Sequence, residues 1–250
     1  MEWRDEGILL ATARHGEGGL ILDALTADHG RRRGLVRGGA SRRRAAEFQV
    51  GAQLSLHWRA RLEEQLGRFQ AEALRARAGM VLDDPLALAA MASAAALLVD
   101  LLPESEPQPV LYPRSVALFD ALAAGRDWRE AYARWELDVL TELGFGLDLS
   151  SCEATGAAQE LIYVSPRSGR AVSREAGAPY RDKLLPLPGF LQLEGASASA
   201  DAFADALRLT GFFMDRRVLP ALGRAAIPAA RARLAALATA HAASDASKQD

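Results

Sequence analysis

Between Gly30 and Arg44 the chain carries seven arginines (Arg31, Arg32, Arg33, Arg37, Arg42, Arg43 and Arg44), four glycines and no acid. Guanidinium groups at that density repel one another unless anions neutralise them. A phosphate backbone does so and releases its counterions. The planar guanidinium fork suits phosphate, and the glycines let the backbone approach a ligand closely. The seven arginines are therefore candidate nucleic-acid-binding residues; the plainer alternative is a solvated basic turn with no partner. Trp58 and Phe69 could stack on bases, but filling the core is the preferred reading of both. The chain has no recognition-helix pattern, zinc-finger spacing or basic zipper. The expectation is contact with the sugar-phosphate chain and little base preference.

Other chemistry is thinly supported. His15, His29, His57 and His241 are scattered singly, with no metal-ligand spacing. Glu63-Glu64 and Asp83-Asp84 are adjacent carboxylates that point to different sides of a regular element, and the second pair reads better as a helix cap. Gly16-Glu17-Gly18-Gly19 lacks the Lys-Ser/Thr of a phosphate-binding loop. No Ser-His-Asp grouping can be nominated. No catalytic residue, metal or cofactor is expected, and the chain reads as a binding protein rather than an enzyme.

Charge supports that reading through its distribution. The net charge is -2, yet residues 1–80 hold fourteen arginines against ten acids. The front is thus basic and the remainder acidic, which suggests separate tasks. Lysine occurs only at Lys183 and Lys248. The single cysteine, Cys152, excludes an internal disulfide and fits a reducing cytoplasm. The charged start Met1–Glu6 is unlike a signal peptide. Leu86 to Leu102 is shorter than the roughly 20 residues a membrane span needs, so no membrane is expected as a partner.

The elements that must position these residues fall into two groups. Short extended runs at Ile8–Ala13, Leu20–Thr26, Arg31–Arg37, Gln53–Arg59 and Gly67–Arg75, separated by glycine turns, predict a small five-stranded barrel of the OB-fold type. From Asp83 the period becomes helical. Asp84-Pro85 starts a buried helix through Leu102, and Leu111–Ala124 and Asp127–Leu143 follow. In the last of these, Ala131, Trp135, Leu137, Val139, Leu140 and Leu143 form the apolar stripe, and Gly144 caps it. Residues 146–196 are irregular, with an extended piece at Glu160–Val164. Helix resumes at Ala200 to about Leu222 and at Pro228–Ala243. The predicted class is α+β: an OB-fold domain over residues 1–80 and an α-helical domain over 81–250, interrupted by the insertion at 146–196.

In this order of parts the chain resembles the RecO family of bacterial recombination mediators over nearly its whole length. Gly7-Ile8-Leu9-Leu10 and Gly18-Gly19-Leu20-Ile21-Leu22 are similar to that family's first barrel strands. Arg37 and Arg42 to Arg44 match its basic strand and loop. The most specific match is Arg134-Trp135-Glu136-Leu137-Asp138-Val139-Leu140-Thr141-Glu142-Leu143-Gly144-Phe145, a helix ending in Leu-Gly-aromatic, followed by an apolar exit strand and a first cysteine, here Cys152. Many members then carry a four-cysteine zinc module. This chain departs from it: Thr155, Ser173 and Ala176 stand at the other three positions. One thiolate cannot make a closed tetrahedral site, so no structural zinc is expected. Packing of Leu161, Tyr163, Val172, Tyr180, Leu184 and Leu185 is expected to hold the module instead.

The resemblance implies a protein of DNA repair and homologous recombination that binds single- and double-stranded DNA and anneals complementary strands. It further implies that, with RecR, the protein helps RecA replace single-strand-binding protein. The acidic, apolar C-terminal tail of single-strand-binding protein would dock on the helical domain. Arg134 is the candidate contact, with Arg114 and Arg129 behind it, unless these are solvated helix-face residues. The implied location is the cytoplasm, at the nucleoid. The residues alone leave open an OB-fold RNA-binding protein.

Overall fold

Period-two alternation builds the first five strands. In β4 (Gln53–Arg59) Leu54, Leu56 and Trp58 turn inward while Ser55, His57 and Arg59 turn out. In β5 (Arg68–Arg75) Phe69 and Ala71 are buried while Arg68, Gln70 and Glu72 face solvent. The computed structural model describes residues 1–62, 65–126, 128–192 and 198–247. Glu63, Glu64, Asp127, residues 193–197 and residues 248–250 lie outside the described residues. Strands β1 (Glu2–His15), β2 (Gly19–Thr26) and β3 (Gly30–Val36) form an antiparallel meander. A short helix α1 (Arg42–Glu47) leads to β4, which pairs antiparallel with both β1 and β5. β5 meets β3 in parallel at Leu35 and Arg68, closing a barrel in the order β1-β2-β3-β5-β4. Its interior holds Leu9, Leu22, Leu54, Leu56, Trp58 and Phe69.

β1 is longer than the apolar run Ile8–Ala13 suggests. Its polar first half, Glu2 to Ile8, pairs with β4, and Gly7 to His15 pairs with β2, with a bulge between Leu9 and Ala11. One strand thus serves two ladders, and a bulge supplies the bend between them. α1 also differs from expectation, because Arg42–Arg44 reads as loop. Arg and Ala are good helix formers, so Arg42-Arg43-Arg44-Ala45-Ala46-Glu47 takes up a short helix after Ser41.

Asp84 caps α2 (Pro85–Leu101) by accepting from the N–H groups of Leu86 and Ala87, with proline in the first turn. α3 (Leu111–Ala124) ends at Gly125, which has a φ of 68°. The chain divides into two compact units, Met1–Arg126 and Asp127–Asp250. In the first, α2 and α3 accompany the barrel. Arg77 fastens α3 to the barrel: its side chain is fully buried and donates to the Gly51 carbonyl (2.9 Å) and the Asp120 carboxylate (2.7 Å).

In the second unit α4 (Trp128–Glu142) leads into a three-stranded sheet of β6 (Leu161–Val164), β7 (Ala171–Ser173) and β8 (Leu185–Pro186), in the order β7-β6-β8. A turn of helix, α5 (Arg174–Gly177), follows β7. α6 (Ala200–Phe213) then runs through a π-turn at Met214–Val218 into α7 (Leu219–Ala221), and α8 (Ala229–Ala246) completes the unit. The expected single helix to Leu222 is interrupted because Pro220 has no N–H for the carbonyl one turn back. The buried face of α4 also differs from the predicted stripe. Tyr132 and Glu136 are fully buried, whereas Leu137 and Leu143 are only partly so. Glu136 accepts from Arg231 Nη2 (3.0 Å) and from Thr210, so α4, α6 and α8 share one buried polar cluster. No described helix is long and apolar enough to cross a membrane.

Candidate nucleic-acid interface

The ends of β3, β4 and β5 enclose a cleft of about 1230 Å³. Five arginines line it: Arg37 just after β3, Arg44 on α1, Arg59 on β4, Arg61 in the following loop and Arg68 at the start of β5. Glu2 and Glu72 are the acids in the described lining. Phe69 contributes an edge to the floor but is 4% exposed, and Trp58 is 1% exposed. Both are core residues, as the sequence reading prefers. A second hollow of about 640 Å³ lies alongside, lined by Ser41, Arg43, Arg44, Glu47 and residues of β5. Arg44 belongs to both. It stacks over Phe48 (5.2 Å) and donates to the Ala71 carbonyl (2.9 Å), which fixes its guanidinium between them. Arg37, Arg42 and Arg43 are exposed.

The run Arg31-Arg32-Arg33 is not brought into this cleft. Successive strand residues point to opposite faces, so three adjacent arginines cannot share one surface. Arg32 turns into the barrel, is 6% exposed, lies 5.5 Å over the Trp58 ring and donates to the His29 carbonyl. Arg31 points out but is held: its Nη1 lies 2.8 Å from Asp23 and its Nε donates to the Leu102 carbonyl. Arg33 lies 3.8 Å from Glu104 and is about half exposed. Arg31 and Arg33, with Asp23 and Glu104, line a smaller pocket of about 280 Å³ that also includes Ile21 and Val99. Burial pushes the Asp23 carboxyl up to about 6, against the pull of Arg31. Its Oδ1 has no hydrogen-bond partner among the described residues.

Sequence reasoning thus missed Arg59, Arg61 and Arg68, which are isolated along the chain. Their signal was available, because Arg59 and Arg68 occupy the outward positions of two alternating strands, and β4 pairs them directly.

The residues considered for a peptide tail are placed differently. Arg134 donates to Glu130 (2.8 Å) and to the Phe190 carbonyl (2.5 Å), tying the 3₁₀ turn Gly189–Leu191 to α4, and stays 35% exposed. Arg129 lies over Trp128 (5.5 Å), and its buried Nε has no hydrogen-bond partner among the described residues. Arg114 is exposed on α3, in the first unit.

Around Cys152 the structure gathers Thr155 and Ser173. The Ser173 N–H donates to the Cys152 sulfur (3.3 Å). Burial pushes this thiol up, but hydrogen bonds from Ser173 and Thr155 draw it down to about 6. Among the described residues no group of three or more His, Cys, Asp and Glu comes together. One thiol and two hydroxyls do not fit a zinc site, which needs four strong donors; hydrogen bonds join these chain segments instead. Leu161 and Val172 are buried in this module, and Tyr163 packs over Gly177, where a Cβ would lie 2.5 Å from its ring. Tyr180 departs from the expected packing, being 60% exposed.

Comparison with known proteins agrees with the arrangement of parts. Residues 1–77 match the family model described as "Recombination protein O N terminal", and residues 82–225 match "Recombination protein O C terminal". The chain is 53% identical over 233 residues to the DNA repair protein RecO of Ruegeria sp., covering 93% of this chain and 96% of that one. It is 54% identical over 223 residues to the protein of the same name from Mesorhizobium japonicum, covering 87% and 86%. With that of Rhodospirillum rubrum it shares 48% over 239 residues, covering 93% and 94%. The chain belongs to the recombination protein O family, whose relatives named here are DNA repair proteins.

Proposed function

We propose that this chain is a recombination mediator that grips the sugar-phosphate backbone of single- and double-stranded DNA in the arginine-lined cleft and anneals complementary strands. The observation that carries the reading is the convergence of Arg37, Arg44, Arg59, Arg61 and Arg68 on one open cleft of a small closed barrel. The closed five-stranded barrel supports the OB-fold reading, and OB-folds commonly bind oligonucleotides on this kind of surface. Annealing requires no covalent step: a cationic surface screens the repulsion between two polyanions and holds them together long enough to pair. Arg42 and Arg43 extend the cationic surface beyond the cleft, and Arg31, Arg32 and Arg33 act mainly in positioning β3.

The remaining assignments follow family membership. The division of labour is an OB-fold domain over residues 1–80 and a helical domain over 81–250, with 146–196 a zinc-module-like insertion that has lost its ligands. In the cytoplasm, at the nucleoid, the protein works with RecR to help RecA displace single-strand-binding protein. The acidic tail of single-strand-binding protein docks on the helical domain through Arg134, with Arg129 or, separately, Arg114 as weaker candidate contacts.

Fluorescence annealing of complementary strands coated with single-strand-binding protein, with and without that protein's tail, tests the proposal. Acceleration that depends on the tail supports it; no acceleration with either form removes it. The competing reading, an OB-fold RNA-binding protein, is favoured if matched RNA binds more tightly than DNA and annealing is absent.

A further inference from the structure

Within the cleft the Glu2 carboxylate meets two side-chain nitrogens. Glu2 Oε1 lies 2.6 Å from His57 Nε2 and 2.7 Å from Arg59 Nη2. The strand register dictates this meeting. Glu2 is the cross-strand partner of Arg59, and His57, two residues before Arg59, shares its outward face. The other ring nitrogen of His57 lies 3.1 Å from Gln70 Oε1, which steadies the imidazole. His57 is mostly covered, whereas Glu2 and Arg59 are each more than half exposed. All four residues line the cleft. Arg59 and His57 hold the Glu2 carboxyl below the usual carboxylate range.

Carboxylate and phosphate oxygens are recognised by the same charge-assisted donors. An exposed ion pair of this kind contributes little to stability, so exchanging its acid for another anion costs the fold almost nothing. We propose that Arg59 and His57 form a phosphate subsite of the cleft, occupied by Glu2 in the free protein and yielded to a backbone phosphate when a nucleic acid strand binds. This inference rests on the cleft being the nucleic-acid site. It assigns Glu2 a role in specificity. A tethered carboxylate outcompetes a lone phosphate or mononucleotide. A strand that simultaneously engages Arg37, Arg61 and Arg68 displaces it through multivalency. The subsite thus favours polymers over their monomers.

The test is a titration of a fluorescein-labelled oligo-dT strand by anisotropy at about 50 mM salt. Glu2→Gln should tighten binding by about two- to five-fold, the range an exposed ion pair supports. The gain should shrink as added salt screens the competing pair. Glu72→Gln removes the same charge from the same cleft without vacating this subsite and should gain less. In an Arg59→Gln background, Glu2→Gln should lose at least half of its benefit. Glu2→Asp keeps the charge but withdraws it by one methylene; it should give a smaller gain of the same sign, and it serves if Glu2→Gln disturbs the fold. The inference is overturned if Glu2→Gln brings no gain, gains only as much as Glu72→Gln, or gains equally without Arg59. If the unaltered protein binds but shows any of these responses, the cleft reading survives and only the role of Glu2 fails. If the unaltered protein ignores the strand at this salt, both fail.

Discussion

Replacing Arg37, Arg61 and Arg68 together by glutamine separates the cleft from the rest of the basic sequence. All three are exposed, and all three line the cleft. Exposed substitutions of this kind change stability by only about 0.5 kcal/mol each. If the five cleft arginines each neutralise one phosphate of a single strand, log affinity falls with log salt at a slope of about -3.5. Raising salt from about 50 to 200 mM then weakens binding about 130-fold. With two arginines left the slope is about -1.4, and the same change weakens binding only about 7-fold. Anisotropy titrations of labelled oligo-dT at four or five salt concentrations measure both slopes. Arg31→Gln is the comparator, because Arg31 is bound to Asp23 and the Leu102 carbonyl. It should lower the melting temperature and leave the slope alone. A triple variant with an unchanged slope, or an Arg31 variant with a flattened one, would refute the assignment of phosphate contacts to this cleft.

Three further outcomes concern the scaffold. Asp23 has a folded pKa of about 6 against an ordinary 3.8, so the native state holds the extra proton between those values and this contribution to stability falls as pH rises through them. The stability of the natural protein relative to Asp23→Asn, followed by denaturant melts, should therefore improve from pH 7 to pH 5 by about 1.3 kcal/mol, because only about one pK unit of the shift is traversed in that window. Arg231→Met strands the buried Glu136 carboxylate and should cost about 3–5 kcal/mol in chemical denaturation. Arg231→Met combined with Glu136→Leu should recover much of that loss. Cys152→Ala leaves the Ser173 N–H without its acceptor and should cost about 1–3 kcal/mol. In the natural protein, thiol reagents should label Cys152 only as fast as the protein opens, because the residue is 1% exposed.

The elements of this fold were legible where local pattern and tertiary packing ask for the same thing. β4 was readable residue by residue because Leu54, Leu56 and Trp58 alternate with polar neighbours. α2 was framed by Asp84-Pro85, whose chemistry is local. The site was less legible, for a physical reason. Density of charge along the chain suggested a cluster at Arg31–Arg33, but a strand distributes neighbours to opposite faces, and Arg32 went inside. The true neighbours of Arg37 are Arg59, Arg61 and Arg68, brought together by cross-strand pairing that no local window records. Likewise Glu136 reads as a solvated helix residue. Its burial depends on Arg231, 95 positions away. The placement of Cys152 beside Thr155 and Ser173 was visible only through the family's spacing.

The barrel closes at a sparsely bonded joint. Among the described residues β3 and β5 share one paired position, reinforced by the Leu35 N–H donating to the Gly67 carbonyl (3.1 Å). Gly67 has a φ of 65°, and a Cβ there would strike the Trp58 indole at 2.3 Å. The two strands that meet at this joint are also the walls of the arginine groove. Prying them apart breaks few bonds, whereas opening any other ladder of the barrel breaks many. Widening the groove at this point would therefore loosen the closure of the barrel, and the Trp58 indole packs against Gly67 where the two meet.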